Sequence, residues 1–415
     1  MELTADELAR AKTFSPLPAV PADPTNAFAD NAAAAVLGQR LYFDSSYSGA
    51  LAVASDGANG GLGAVGDRGK VACVSCHASP SGDDNRSKPG NVSLGTDFGT
   101  RNALPIVNSA FNKWTNWGGR FDSQWSLPLA VAENARIMKS TRLEVAHLLF
   151  TKYRADYDAI FPVPLDAALS PTAADAARFP AAGKPKAAAT DPDGPWEQMT
   201  ASDRAIVNRI FVNYGKALAA YMRKHVSRDA PFDRFVAGDT SAISASAKRG
   251  FRVFTGKGQC ATCHAGPNFS DDKFHALGVP QTGDKVPATD LGRFTDVAPL
   301  LTSPFNTNGD FSDDKTTGKL TGEAQNATQL GAFRTRSLRN LSTSAPYMHS
   351  GQLATLEAVV DFYDQGGGNV PDGGVKPSML VPLALTAEDK ADLVAFLKAL
   401  DGAPVDASLL QNTAR

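Results

Sequence analysis

Apolar side chains recur at helical spacing in two long stretches of this chain. The segment from Thr386 to Gly402 combines an N-capping threonine, early acidic residues, an apolar stripe and a closing glycine, which predicts a helix. A longer core helix is predicted from about 202 to 225 by the apolar positions Ile206, Val207, Ile210, Phe211, Tyr214, Leu218, Tyr221 and Met222. Alternation typical of strands is scarce, so the pattern predicts a mainly α fold with long loops and little β structure.

Composition and charge exclude several classes of protein. The chain has 415 residues, enough for two or three domains, and its 41 basic and 43 acidic side chains nearly balance. This balance argues against an electrostatic nucleic-acid binder. No apolar run reaches the roughly 18 residues that a membrane span requires, which predicts a soluble protein without a membrane span. The N-terminus lacks a basic and an apolar region, so we expect any export signal to have been removed.

The four cysteines form two pairs, each followed by histidine: Cys73-Val-Ser-Cys76-His77 and Cys260-Ala-Thr-Cys263-His264. This C-x-x-C-H pattern is typical of c-type haem attachment, in which two thiols bind the haem and the histidine binds the iron. The alternatives are a thioredoxin-like redox pair, which would not need the histidine twice, and a four-cysteine zinc ribbon, which normally places its pairs about 15 to 20 residues apart. The spacing therefore predicts two covalently bound haem c groups and, because such attachment occurs outside the bacterial cytoplasm, a periplasmic protein.

The motif glycine-x-arginine-apolar-aromatic occurs before each cysteine pair. The copies begin at Gly38 and Gly250 and indicate a duplicated domain. An alanine- and proline-rich stretch between them is read as a linker. The expected organisation is an N-terminal extension (1–27), a first, peroxide-reactive cytochrome c-like haem domain (28–160), a linker (161–200) and a second cytochrome c-like haem domain (201–415).

The sixth ligand determines the role of each haem. A haem whose sixth position is filled transfers electrons, whereas one whose sixth position is open can bind peroxide. After His77 no histidine or methionine occurs until Met138, so we expect the first haem to be five-coordinate or water-bound. His147 and His225 are interpreted as structural or solvated residues.

Four motifs resemble those of bacterial di-haem cytochrome c peroxidases and the related MauG enzymes. They are Arg336-Ser-Leu-Arg-Asn340 with Ala345-Pro-Tyr-Met-His-Ser-Gly351, Arg101-Asn-Ala-Leu-Pro105, and Trp117-Gly-Gly-Arg120. The resemblance covers residues 28 to 401, and the layout is most similar to the MbnH branch, whose members are encoded beside copper-binding partners of the MbnP type.

The resemblance implies an axial ligand for the second haem, seventeen residues after Pro346, at Tyr363. Classical peroxidases have methionine there and MauG-type enzymes have tyrosine. A thioether raises the potential of haem iron, whereas a phenolate favours higher oxidation states. The alternative is that Tyr363 packs with Phe362 and that Met348 or His349 binds the iron.

The resemblance also implies roles for residues between the haems. Trp117 matches the tryptophan that lies between the two haems, and Asn102 with the carbonyls of Ser344 and Pro346 matches a Ca²⁺ site of oxygen ligands.

One part of the family pattern is missing. The distal glutamate and glutamine of the family fall at Ile137 and Leu127. Peroxide cleavage needs a proton shuttle, and Glu133, one helical turn before Ile137, is the candidate; a surface carboxylate is the alternative.

The resemblance implies an enzyme that uses hydrogen peroxide to form a high-valent, bis-Fe(IV)-like state and oxidises an aromatic residue, a tryptophan, of a partner protein of the MbnP type. Two alternatives stay open. One is a cytochrome c peroxidase that reduces peroxide with electrons from a small cytochrome c or cupredoxin, and the other is a non-catalytic di-haem electron carrier.

Overall fold

The computed structural model describes residues 2–54, 62–78, 80–84 and 91–415 and is mainly α, as predicted. Its one sheet in these ranges pairs two short antiparallel strands, β1 (Phe274–Ala276) and β2 (Ala332–Arg334). The helices are α1 (Ala5–Ala11), α2 (Ala32–Phe43), α3 (Cys73–Cys76), α4 (Ser126–Glu133), α5 (Arg142–Lys152), α6 (Arg154–Ile160), α7 (Pro195–Gln198), α8 (Ala201–Met222), α9 (Pro231–Val236), α10 (Ala245–Thr255), α11 (Arg293–Thr302), α12 (Leu356–Asp364) and α13 (Ala387–Lys398). None of the described helices has the length and apolarity needed to cross a bilayer.

Two helix pairs, α2 with α8 and α10 with α13, form the centres of two similar units. A Cβ atom on Gly38 of α2 would lie 2.1 Å from the carbonyl oxygen of Ala217 and 2.8 Å from the Cβ of Tyr221. A Cβ atom on Gly250 of α10 would lie 1.9 Å from the carbonyl oxygen of Asp392 and 2.8 Å from the Cβ of Phe396. The repeated glycine therefore marks the point where each helix pair crosses with its backbones in contact.

The repeat extends into a loop of each unit. Asn108 and Asn340 both have left-handed backbones, with φ of 59° and 61°, and each begins a single 3₁₀ turn (Ser109–Phe111 and Leu341–Thr343). The amide of Asn108 donates to the carbonyl of His225, and that of Asn340 donates to the carbonyl of Leu400. The chain after α8 is therefore equivalent to the chain after α13.

Most of the buried apolar side chains belong to two separate cores. The first core contains side chains from α2, α4, α5 and α8, together with Leu165, Leu169, Phe179 and Trp196 from the expected linker. The second core contains side chains from α9, α10, α12 and α13. The domain limits stay a prediction, but this packing favours a boundary after Met222 instead of residue 200, with the 161–200 segment in the first unit.

The two ends of the chain pack on the units that lie far from them in sequence. Ala11 and Phe14 are buried in the second core, and Glu7 pairs with Arg252 of α10. At the other end, Leu409 packs on the first core and accepts a hydrogen bond from Tyr221 at its carbonyl. The residues expected to form an N-terminal extension thus contribute to the second unit.

Candidate functional site

The first cysteine pair lies on the short helix α3, directly after the buried Val71 and Ala72. The Nδ1 of His77 donates to the carbonyl of Gly82 at 2.6 Å, and the Tyr42 hydroxyl donates to the His77 carbonyl at 3.0 Å. With Nδ1 donating to a carbonyl, His77 would bind an iron through Nε2.

The second pair has the same local arrangement. Cys260 begins a 3₁₀ turn, and the Nδ1 of His264 donates to the carbonyl of Phe269 at 3.0 Å. Burial lowers the pKa of His264, which favours the neutral imidazole that binds a metal. All four cysteines are described and none forms a disulfide, so both pairs fit thioether attachment of a haem.

A cavity of about 260 Å³ opens beside the second pair. Its lining includes Cys260, Cys263, His264 and, from α12, Tyr363. Burial raises the pKa of the Tyr363 phenol, so the free side chain is protonated, and a phenolate would need a cation beside it. The cavity therefore brings the predicted proximal and distal residues of the second haem together, and ligation by Tyr363 stays a prediction.

The alternative ligands of the second haem line the same cavity but differ in their contacts. His349 is buried, its ring stacks on Phe333 with centroids 3.8 Å apart, and its Nε2 lies 2.6 Å from the Nε2 of Gln281, which donates to it. The Nε2 of His349 thus already accepts a hydrogen bond. Met348 and Met379 also line the cavity.

Two buried arginines of this cavity were not singled out as site residues from the sequence. Arg334 Nε and Nη2 and Arg336 Nη1 have no hydrogen-bond acceptor among the described residues. Burial lowers the pKa of both guanidinium groups. Unsatisfied N–H groups in such a place fit the carboxylates of a haem, which would supply the missing acceptors. Arg334 ends β2 and Arg336 lies two residues later, in a stretch too short to give a periodic signal in the sequence.

Trp117 lines the same cavity. Its indole N–H donates to the carbonyl of Asn102 at 2.8 Å, and its ring lies edge-on to His349 with centroids 6.4 Å apart. The guanidinium of Arg336 lies 5.6 Å from the ring centroid. These contacts fix the orientation of the indole beside the second haem site.

The predicted Ca²⁺ ligands are grouped at one side of the cavity. Asn102, Ser344 and Pro346 all line it, and Asn102 Oδ1 is buried without a hydrogen-bond donor from the described chain. A buried, unpaired amide oxygen fits a hard cation. Calcium binding stays a proposal.

Glu133 lies away from both haem-attachment cavities. The guanidinium of Arg142 binds it twice, with Nε at 2.8 Å and Nη2 at 2.9 Å from the carboxylate oxygens. That guanidinium also lies over the rings of Trp196 and Phe211. Glu133 lines neither cavity, so this pairing favours the structural alternative over the predicted proton shuttle. Leu127 and Ile137 are partly buried and bring no polar group.

A cavity of about 170 Å³ lies beside His77. Its lining includes Gly82, Tyr42, Tyr221 and His225. His225 is 2% exposed, its Nδ1 donates to the Tyr221 carbonyl at 3.2 Å, and its Nε2 has no partner within the described chain. The sequence favours a structural or solvated role for His225. In the repeat it aligns with Leu400 of the second unit, so its imidazole is particular to the first unit.

Comparison with known proteins decides the family. The family described as di-haem cytochrome c peroxidase matches residues 32–241. Cytochrome-c peroxidase IdrP2 of Denitromonas iodatirespirans is 30% identical over 98% of this chain and 90% of that protein. The chain belongs to the di-haem cytochrome c peroxidase family.

The chain is also similar to MauG-type proteins. Methylamine utilization protein MauG of Methylorubrum extorquens is 39% identical over 47% of this chain and 46% of that protein. A solved structure, described as a MauG-like protein associated with microbial copper homeostasis, has a TM-score of 0.61 and 22% identity and covers 96% of this chain and 97% of that chain. This structural likeness concerns the fold alone.

Family membership confirms the prediction of two covalently bound haem c groups and excludes the thioredoxin-like and zinc-ribbon alternatives. It also supports a haem peroxidase-type oxidoreductase over a non-catalytic carrier. The two attachment sites at Cys73–His77 and Cys260–His264 are where the chain can hold these groups.

Proposed function

We propose that this di-haem peroxidase reduces hydrogen peroxide and withdraws the required electrons from an aromatic residue, a tryptophan, of a partner protein, as MauG- and MbnH-type enzymes do. The observation that carries the proposal is Tyr363 in the cavity of the second haem, facing the same space as His264. A phenolate at the iron favours higher oxidation states, whereas a thioether would favour simple electron entry.

The haems would supply the peroxide chemistry: one peroxide takes two electrons and two protons and leaves as two waters. The chain's own residues do the rest. Trp117, oriented by the Asn102 carbonyl, lies at the second-haem cavity and can share the loss of electrons. Arg334 and Arg336 would hold the haem carboxylates in an interior that excludes water.

A protein substrate cannot enter either cavity, so its electrons must travel through the chain. A copper-binding protein of the MbnP type is the proposed partner, and the periplasm the proposed compartment, since haem attachment of this kind occurs outside the cytoplasm. A Ca²⁺ at Asn102, Ser344 and Pro346 would stabilise the loop that supports Trp117.

A second candidate function is favoured by the full-length similarity to a protein named cytochrome-c peroxidase IdrP2. In that case the enzyme only removes peroxide, with electrons from a small cytochrome c or cupredoxin.

Stoichiometric peroxide added to the diferric protein separates the two functions. The first predicts a long-lived state oxidised by two equivalents without prior reduction, seen in the optical and Mössbauer spectra. Replacing Tyr363 by Met should abolish that state while both haems stay attached. A reaction that requires prior half-reduction, in the unmodified protein, would contradict the first function and support the second.

A further inference from the structure

The two cores differ in the kind of aromatic ring that they contain. Six of the eight tyrosines of the chain are buried in the first core: Tyr42, Tyr47, Tyr153, Tyr157, Tyr214 and Tyr221. The buried aromatic residues of the second core are all phenylalanines: Phe14, Phe232, Phe235, Phe251, Phe254, Phe269 and Phe396. A phenol gives up an electron far more readily than a phenyl ring, because it can release its proton at the same time. The core around the first haem is therefore the one lined with oxidisable rings.

Two of these tyrosines lie at the thiol that attaches the first haem. The hydroxyls of Tyr47 and Tyr214 are 2.8 Å apart, and their ring centroids are 6.0 Å apart. Burial raises the pKa of both phenols, and the Tyr47 hydroxyl lies within hydrogen-bond reach of the Cys73 sulfur. The pair thus connects the haem attachment point with the interior of the first core.

A third tyrosine has a proton acceptor. The hydroxyl of Tyr153 donates to the carboxylate of Asp44 at 2.7 Å, and Lys152 and the amide of Ser46 also donate to that carboxylate. Asp44 lies near Tyr47 too, since its charge contributes to the raised pKa of that phenol. The hydroxyls of the other tyrosines with described hydrogen bonds contact backbone carbonyls, the Asn213 amide, the Arg209 guanidinium or another phenol.

We infer that Tyr153 is a radical site that receives an oxidising equivalent from the first haem by way of Tyr47 and Tyr214. In this step one electron leaves the Tyr153 phenol for the oxidised haem, the O–H bond breaks and the proton moves to the Asp44 carboxylate. The products are a neutral phenoxyl radical, a protonated Asp44 and a haem reduced by one electron. A later electron from an external one-electron reductant, such as ascorbate or a small redox protein, and return of the proton restore the phenol.

The site would protect the haem when no partner supplies electrons, because the stored equivalent rests on a buried ring instead of attacking the haem or its ligands. The inference rests on the peroxide reaction of the proposed function, but not on the identity of the partner or of the second-haem ligand.

The test uses the holoenzyme, treated with stoichiometric peroxide and frozen for EPR spectroscopy. We expect a tyrosyl signal in the unmodified protein, its loss in the Tyr153→Phe protein and its retention in the Tyr157→Phe protein. Tyr157 is a matched control because it is also buried in the first core, where its hydroxyl accepts from Asn213 and meets no carboxylate. A signal that persists in Tyr153→Phe, with a normal change in the haem bands, would overturn this inference alone.

A second measurement needs no variant. A nitroso spin trap added with peroxide to the unmodified protein should form its adduct on the peptide that contains Tyr153, as located by mass spectrometry. An adduct confined to the peptides of Trp117 or Tyr363 contradicts the inference. Haem bands that do not respond to peroxide at all contradict both this inference and the proposed function.

Discussion

The two haem-binding units have equivalent backbones and different interiors. Tyr221 of α8 and Phe396 of α13 occupy the same position at the helix crossing, and His225 corresponds to Leu400. Each first-unit residue carries a polar group where the second unit has only carbon. At these two equivalent positions the packing of the first unit therefore offers groups that can exchange protons, and that of the second unit offers none.

The space behind the proximal histidine differs in the same way. His77 is held by the carbonyl of Gly82, and His264 by the carbonyl of Phe269, whose ring stacks on Phe14 with centroids 5.2 Å apart. The second unit has aromatic rings here, whereas the first has a cavity whose lining includes the buried His225. The residues that the two units share therefore make the same backbone contacts, whereas the residues that differ determine the chemistry of each interior.

Two separate substitutions at equivalent positions, Leu400→His and His225→Leu, test this difference most strongly. Leu400→His should lower the free energy of unfolding by about 2–4 kcal/mol, because a fully buried leucine would be replaced by an imidazole without partners. His225→Leu should leave the free energy of unfolding unchanged or raise it by about 1 kcal/mol, since it removes an unsatisfied nitrogen. Denaturant unfolding of the two haem-loaded proteins measures both changes. Equal destabilisation by the two substitutions would contradict the contrast between the interiors.

The two helix crossings should be destabilised alike by a larger side chain, because both units have the same glycine contact. Gly38→Ala and Gly250→Ala should each cost about 1–3 kcal/mol, because the new Cβ would overlap a backbone carbonyl and force the helices apart. Thermal unfolding followed by circular dichroism measures this cost. Gly194→Ala is the matched control, because its nearest neighbour is a side-chain oxygen 3.5 Å away. If only one crossing is sensitive, the two units do not share this contact.

The smallest effect is expected at two equivalent arginines with different partners. Arg40 of α2 pairs with Asp156 of α6, and Arg252 of α10 pairs with Glu7 of α1. Glu7→Gln and Asp156→Asn should each lower stability by at most about 1 kcal/mol at pH 7, because both pairs are partly exposed.

The Glu7 pair should also depend on pH. The hydrogen bond with Arg252 lowers the pKa of Glu7 from 4.5 to about 2. Its contribution is therefore present above pH 4.5 and is lost as the pH falls toward 2. Unfolding of unmodified and Glu7→Gln proteins between pH 6 and pH 3 should converge at low pH, and a constant difference across this range would contradict the assignment.

Two of the helices, α8 and α13, were predictable from the sequence because their signals are local. The observed limits of α8 and α13 lie within a few residues of the predicted ones, and Thr200 and Thr386 cap them as such signals require. The partner of α8 was not predictable, since periodicity shows that a helix has an apolar face but not what covers it. For the same reason the predicted domain limit at residue 200 depends on the composition of the linker and not on what α8 packs against.

The site shows the same limit. C-x-x-C-H is a local signal, and it located both haem attachments. Glu133 and Arg142 are nine residues apart, and their spacing in the sequence does not predict that the two side chains form an ion pair. Arg334 and Arg336 became recognisable as site residues only when the fold showed their N–H groups buried without acceptors.

The exchange of chain ends between the units has a consequence for how the protein unfolds. Phe14 completes the second core, and the tail around Leu409 covers the first, so neither unit keeps its full interior if the other releases its end. Loosening one unit must then weaken the other, which links the two into one cooperative transition. Leu409 follows the whole second unit in sequence and yet packs on the first core, and Phe14 precedes the first unit and waits for the second, so during synthesis neither interior is complete before the second unit has been made.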